Sequence, residues 1–112
     1  MMMHKIDLAE FSEFPFGRVS PADGEYTGQK FRDTVLKPTI DNLEPGDTID
    51  VNLDNVVVGI GSSFLSESFG GLVKKGYISK DQLLKILTIT SEDKSYEMEI
   101  IKYIEEAELE EA

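Results

Sequence analysis

The sequence contains no cysteine and no tryptophan, and its single histidine is His4. The lack of cysteine excludes a disulfide framework, a thiolate zinc site, an iron–sulfur cluster and cysteine catalysis. A zinc site would need carboxylates alone, and the acids show no calcium-loop spacing. We therefore expect no bound metal.

Positive charge is also scarce: 11 lysines and arginines stand against 22 acids, a net charge of −11. Such a surface repels phosphate backbones and anionic lipid, so neither a nucleic acid nor a membrane is expected as a partner. No apolar run approaches the roughly 20 residues of a membrane span. Nor does the N-terminus resemble a signal peptide, so a cytoplasmic location is the default expectation.

The length of 112 residues and a hydrophobic content of 40% suit one domain with one core. We expect this domain to span residues 1–112 and to end in a frayed acidic tail at about 106–112. Acids are disfavoured at the C-terminus of a helix, which favours fraying. A docking site for a basic partner is the alternative interpretation of the tail.

Strand and helix patterns alternate along the chain. Segments 4–9, 49–53 and 86–90 have the apolar patterns of strands, and 17–19 is a candidate for another short strand. Helical spacing begins at about Gly24 and recurs in 64–73, about 80–85 and 96–104; Pro38 should kink or restart the first helix. This order predicts a compact α/β sandwich of three or four strands in a mainly parallel or mixed sheet.

The segment from Asp54 to Gly71 is the most informative for function. Ser62 and Ser63 stand where an apolar run turns into a helix, and free amides at a helix start can hold an anion. An ordinary N-cap is the structural alternative. A dinucleotide fingerprint fails because its third glycine would fall at Phe64, and the serines lack the glycines that flank a hydrolase nucleophile. We expect no catalytic residue and no cofactor.

Charged residues near this helix start suggest ion pairs. Glu67 follows Ser63 by four residues and shares its helix face. Arg18 and Arg32 are candidates to pair with Asp54 or Glu67, and a structural ion pair is the plainest interpretation. The glycine pair at 70–71 within the helix indicates a close approach to a neighbouring element.

Several stretches carry a family resemblance: 27–32, 35–38, 51–54 and 61–73. The most specific, 61–73, reads Gly-Ser-Ser-Phe-Leu-Ser-Glu-Ser-Phe-Gly-Gly-Leu-Val. Together they resemble the STAS-like domain family of unknown function over roughly residues 15–105. That family is similar in turn to STAS domains, named for sulfate transporters and anti-sigma factor antagonists.

The resemblance implies a STAS-like sandwich with a mixed, mainly parallel four-stranded sheet packed against helices. In the antagonists, a serine at the start of the helix after the central strand is phosphorylated by a serine kinase of the GHKL ATPase fold. Their Asp-Ser-Ser-Gly-Leu motif matches residues 61–65 here, with Gly61 replacing the aspartate and Phe64 the glycine. By this match Ser63 is the candidate phosphoacceptor.

The leading functional hypothesis is therefore a non-enzymatic regulatory module that resembles an anti-sigma factor antagonist and binds a GHKL-type ATPase or serine kinase. Serine phosphorylation would switch the interaction. The alternative is a sensor that holds a small anion or a nucleotide at Ser62–Ser63. The residues expected to contact a partner or ligand are Ser62, Phe64, Glu67, Arg18, Arg32 and Asp54.

Overall fold

A three-stranded sheet forms the centre of the computed structural model, which describes residues 1–110. Its strands are β1, Met3–Asp7; β2, Thr48–Asn52; and β3, Leu87–Thr90. Their order is β1-β2-β3, and both pairs are parallel, with Ile6 opposite Val51 and Val51 opposite Ile89. The α/β class is confirmed. The prediction of a four-stranded mixed sheet is wrong, because the described chain has three strands and all of them are parallel.

Segment 17–19 illustrates why the strand count is lower than predicted. The carbonyl of Gly17 accepts a hydrogen bond from the amide of Gly28 at 2.9 Å, and that of Arg18 accepts one from Gln29 at 3.0 Å. These carbonyls satisfy amides in the first turn of a helix, which have no partner within the helix itself. The segment therefore caps a helix instead of pairing with a strand.

Five helices accompany the sheet in the described part of the chain. They are α1, Leu8–Phe11; α2, residues 28–41; α3, residues 62–74; α4, Lys80–Ile86; and α5, Lys94–Glu106. None of these helices combines the length and the apolar character needed to cross a bilayer.

Each of the two central helices contains one π-helical turn, at Arg32–Leu36 in α2 and at Ser66–Gly70 in α3. In α2 the amide of Lys37 bonds to the carbonyl of Arg32, one residue further back than in an α-helix. Pro38 follows at once and has no N–H to continue the usual ladder. The helix thus continues through Pro38 with a local π turn, where the sequence predicted a kink or a restart.

The core lies between one face of the sheet and the helices. In β2, Ile49 and Val51 are buried, whereas the alternate residues face the other side and are half-buried. The buried side chains meet Phe31 of α2 and Phe64 of α3, whose ring centroids are 5.7 Å apart. This packing fixes the start of α3 against α2.

The chain after α5 returns to the end of α3. Ala107 is buried, and the amide of Glu110 donates to the carbonyl of Lys74 at 2.8 Å. The carboxylate of Glu110 also lies 3.0 Å from Nζ of Lys75. These contacts hold 107–110 against α3, whereas the rest of the expected frayed tail, residues 111–112, lies outside the described residues.

Candidate functional site

The carboxyl end of the sheet brings together the loop after β2, the start of α3 and the loop after α1. In parallel sheets, side chains from such loops converge beyond the carboxyl ends of the strands. Here the amide of Gly61 donates to the carbonyl of Pro15 at 2.9 Å. The hydroxyl of Ser63 donates to the carbonyl of Phe16 at 3.4 Å. Residues far apart in sequence thus form one surface.

The two serines occupy different environments in the first turn of α3. The N-cap is Gly61, which has no side chain to bond to the helix amides, so neither serine is the N-cap. Ser63 is half-buried and turned towards Phe16, whereas Ser62 is exposed. Ser62 is consequently the more accessible hydroxyl.

Ser62 also lies near a tyrosine of α5. The hydroxyl of Tyr103 donates to Oε1 of Glu99 at 3.1 Å. Burial, followed by the Glu99 carboxylate, raises the pKa of Tyr103, whereas the nearby Ser62 hydroxyl acts in the opposite direction. The tyrosine hydroxyl is thus held by a carboxylate of its own helix, close to the exposed serine.

Four exposed apolar side chains lie beside this helix start, and we call them the apolar rim. They are Phe14, Phe16, Val57 and Val58, with exposed fractions of 64%, 48%, 93% and 51%. Three of them, Phe14, Val57 and Val58, line a shallow depression of about 170 Å³ together with Glu13 and Asn55. Contiguous exposed apolar groups often mark an interaction site. Sequence reasoning missed this cluster, although the run of three valines at 56–58 in a loop was a signal for it.

Behind the site, a buried arginine joins the two π turns. Nη1 of Arg32 donates to Oε2 of Glu67 at 2.6 Å, and its Nε donates to Oδ1 of Asp33 at 2.8 Å. Burial opposes the charge of Arg32, but the hydrogen bonds to Asp33 and Glu67 outweigh it and raise the pKa of the guanidinium. Arg18 adds a longer contact of 3.7 Å to Oε1 of Glu67. Both arginines thus contact Glu67, one of the two acids expected as their partner.

The structure separates the sequence-predicted contact residues into surface and core. Phe64 is 0% exposed and Arg32 is 2% exposed, so neither lies where a partner would touch it directly. Their expected role as direct contacts is corrected on that ground, since Phe64 packs in the core and Arg32 is enclosed by its ion pairs. Asp54 is exposed, and it accepts a hydrogen bond from the amide of Glu92 at 2.7 Å.

Neither a metal-ligand cluster nor an unpartnered buried polar group marks a ligand site in residues 1–110. No group of three or more histidines and acids is arranged there to hold a metal ion. Every buried side-chain nitrogen and oxygen in this part of the chain has a hydrogen-bond partner. The main feature of the site is therefore its exposed surface.

The comparisons with known proteins agree with the resemblance in the sequence. No curated protein and no solved structure matches the chain. The family model described as a STAS-like domain of unknown function matches residues 27–97, from the N-cap of α2 into α5. The match includes the start of α3 and covers more than half of the chain. The chain therefore belongs to the STAS-like domain family of unknown function.

Proposed function

We propose that this protein is a non-enzymatic regulatory module that binds a partner protein through the start of α3 and the apolar rim. The observation that carries the proposal is the rim itself, in which Phe14 and Val57 are among four largely exposed apolar side chains beside an exposed serine. Aromatic side chains such as Phe14 are enriched at protein interfaces, and contiguous exposed apolar groups often mark such interfaces. A polar small-molecule ligand would not require them.

Phosphorylation of a serine in the first turn of α3 would act directly on this surface. A phosphate carries about −1.5 to −2 charges at neutral pH and disrupts an apolar interface through its desolvation cost. The helix start tolerates the added charge, because the macrodipole favours anions there. The module would accordingly fold in both states and bind in one.

A GHKL-type ATPase or serine kinase is the proposed partner class, on the strength of the family's similarity to anti-sigma factor antagonists. The antagonist motif aligns its phosphoacceptor with Ser63, whereas Ser62 has the more exposed hydroxyl. Both serines are therefore tested as acceptors.

Docking is tested with Val57→Asp, which places a charge in the rim. Affinity capture from a lysate should recover a GHKL-type ATPase, and titration calorimetry with that ATPase then compares variants. An aspartate buried without a partner in the interface should weaken binding by about 2 kcal/mol or more. Met98→Asp is the matched control, because Met98 is also a largely exposed apolar side chain but lies on α5 and not in the apolar rim. Equal affinities for both variants and the parent would contradict the proposed docking surface.

Phosphoryl transfer is tested separately by incubating the recovered ATPase with ATP and each form of the protein. The forms are the parent, Ser62→Ala, Ser63→Ala and the double variant, and mass spectrometry detects the added phosphate. A single variant that abolishes transfer identifies the acceptor. If no form gains phosphate while binding persists, the module docks without this switch.

The second candidate function is a sensor for a small anion or a nucleotide at the start of α3. It is favoured by the N-cap Gly61, which provides no side-chain acceptor for the helix amides. A ligand present at 100 times its Kd should stabilise the protein by about 2.7 kcal/mol. A thermal shift with ATP and with inorganic phosphate measures this effect, and a flat response to both excludes the sensor.

A further inference from the structure

The outer edge of β1 has free backbone groups. Since the strand order is β1-β2-β3, only one side of β1 is paired within residues 1–110. The amide of Thr48 donates to the carbonyl of Met2 at 3.0 Å, and Met3 lies opposite Thr48 in the parallel register. In a parallel ladder this arrangement turns the peptide groups of His4 towards β2 and those of Lys5 outwards. Met3 and Lys5 thus present unpaired N–H and C=O groups at the sheet edge.

A groove of about 370 Å³ runs beside this edge, between β1 and α2. Its apolar lining comes from Ile6, Phe11, Phe31 and Val35. Its charged lining comes from Lys5, Asp7 and Glu10, two carboxylates against one ammonium group. An edge with open hydrogen-bonding groups next to an apolar groove is the arrangement used when a sheet accepts an additional strand.

We propose that this edge binds an extended segment of a partner protein in which apolar and basic residues alternate. The segment would add to β1 as a fourth strand. Its backbone would pair with Met3 and Lys5, and its apolar side chains would fill the groove. Its basic side chains would lie near Asp7 and Glu10.

Charge favours this occupant over a second copy of the same chain. Each copy carries a net charge of −11, so self-association brings two strongly acidic molecules together. A pairing of two β1 edges centred on Lys5 would in addition place like charges directly opposite, which is destabilising in a sheet. None of the groove residues belongs to the apolar rim, so this surface is independent of the proposed function.

The probe is a short synthetic peptide in which valine alternates with lysine, added to the full chain. Backbone amide resonances should report the contact, with shifts at Met3 and Lys5 and saturable binding by calorimetry. The control peptide has the same sequence with an N-methyl group on every backbone amide, so it keeps the charge but has no N–H on either edge to pair with a strand. Equal binding of both peptides means charge attraction without strand addition and would overturn the proposal.

Two variants locate the site. Lys5→Pro removes an outward N–H that β2 does not use, so it should fold and weaken peptide binding about tenfold. Glu10→Lys should weaken binding about two- to fivefold, and Glu108→Lys, an equal change of charge at an exposed position after α5, should have a smaller effect.

Unchanged affinity in both groove variants would refute the site. A concentration-dependent dimer that Lys5→Pro abolishes would show instead that a second copy occupies the edge. Sedimentation of the parent and of Lys5→Pro decides that question.

Discussion

Gly71 lies against the guanidinium of Arg32, and a Cβ at this position would come within 2.7 Å of Nη1. The arginine head is held by Glu67 and Asp33, so it cannot move aside without losing charged hydrogen bonds in a buried site. The sequence indicated that the glycine pair at 70–71 closely approaches a neighbouring element. The neighbour is a charged side chain from α2 and not an apolar layer.

Gly71→Leu should therefore destabilise the fold by about 1–3 kcal/mol or more, because the larger side chain must displace Arg32. Urea unfolding measures the change. Thr34→Leu, at an exposed position of α2, is the control and should stay within about 0.5 kcal/mol of the parent. An unchanged free energy of unfolding for Gly71→Leu would show that Arg32 relocates at little cost.

Asp47, at the turn before β2, holds the N-terminal segment in place. Its carboxylate accepts hydrogen bonds from Nε2 of His4 at 2.9 Å, from the amide of Glu44 at 3.0 Å and from the amide of Met2 at 2.8 Å. The hydrogen bond from His4, followed by that from Glu44, lowers the pKa of Asp47 to about 2. The stability of the fold should therefore depend on the protonation of this carboxylate.

A carboxyl group whose pKa is lower in the folded state stabilises the protein above its unfolded pKa. The contribution is lost as the pH falls from about 4 through about 2. Asp47→Asn should remove this dependence, so the stability advantage of the parent over the variant should shrink as the pH falls through that range. Urea unfolding of both proteins at a series of pH values tests this, and a constant difference between them would be inconsistent with the role of Asp47.

At the scale of elements, the segment 107–110 behaves as an attachment between α5 and α3. Truncation after Glu106 removes the buried Ala107 and the hydrogen bond from the amide of Glu110 to Lys74. We expect a loss of about 1–2 kcal/mol in the free energy of unfolding.

A matched variant separates the ion pair from the rest of this attachment. Lys75→Gln removes only the exposed contact with Glu110, and it should cost less than about 1 kcal/mol. If the truncated protein is as stable as the parent, the contacts of 107–110 contribute nothing to the stability of the fold.

At the scale of the whole molecule, the charge balance dominates. Because 22 acids stand against 11 bases, at least half of the acids have no base of their own, and the net effect of the charges is repulsion. Salt should therefore raise the melting temperature at neutral pH, since the Debye length falls from about 10 Å at 0.1 M to about 3 Å at 1 M.

Differential scanning calorimetry across a series of salt concentrations measures this effect. Sodium chloride and potassium chloride should give equal shifts, as screening requires. A melting temperature that falls with added salt would mean that exposed ion pairs such as Lys37–Asp41 outweigh the net repulsion.

Much of the architecture could be predicted because its signals are local. Alternation in 49–53 matches β2, and helical spacing in 64–73 matches the middle of α3. The stretches at 27–32, 35–38, 51–54 and 61–73 together identified the family, which the match over 27–97 confirms. Periodicity of this kind depends only on which side chains must be buried along one element.

The number of strands, the partners of the charged groups and the identity of the exposed surface were decided by tertiary contacts. The pattern at 17–19 suits a strand, but the carbonyls of Gly17 and Arg18 bond to the start of α2. Phe64 follows two serines in sequence, yet its side chain is buried and packs against Phe31 of α2. Ser63 meets Phe16 only because the start of α3 packs against a loop 47 residues away in sequence. Periodicity along one segment cannot encode such pairings, because they depend on which distant segment supplies the atom that satisfies each polar group or covers each apolar one.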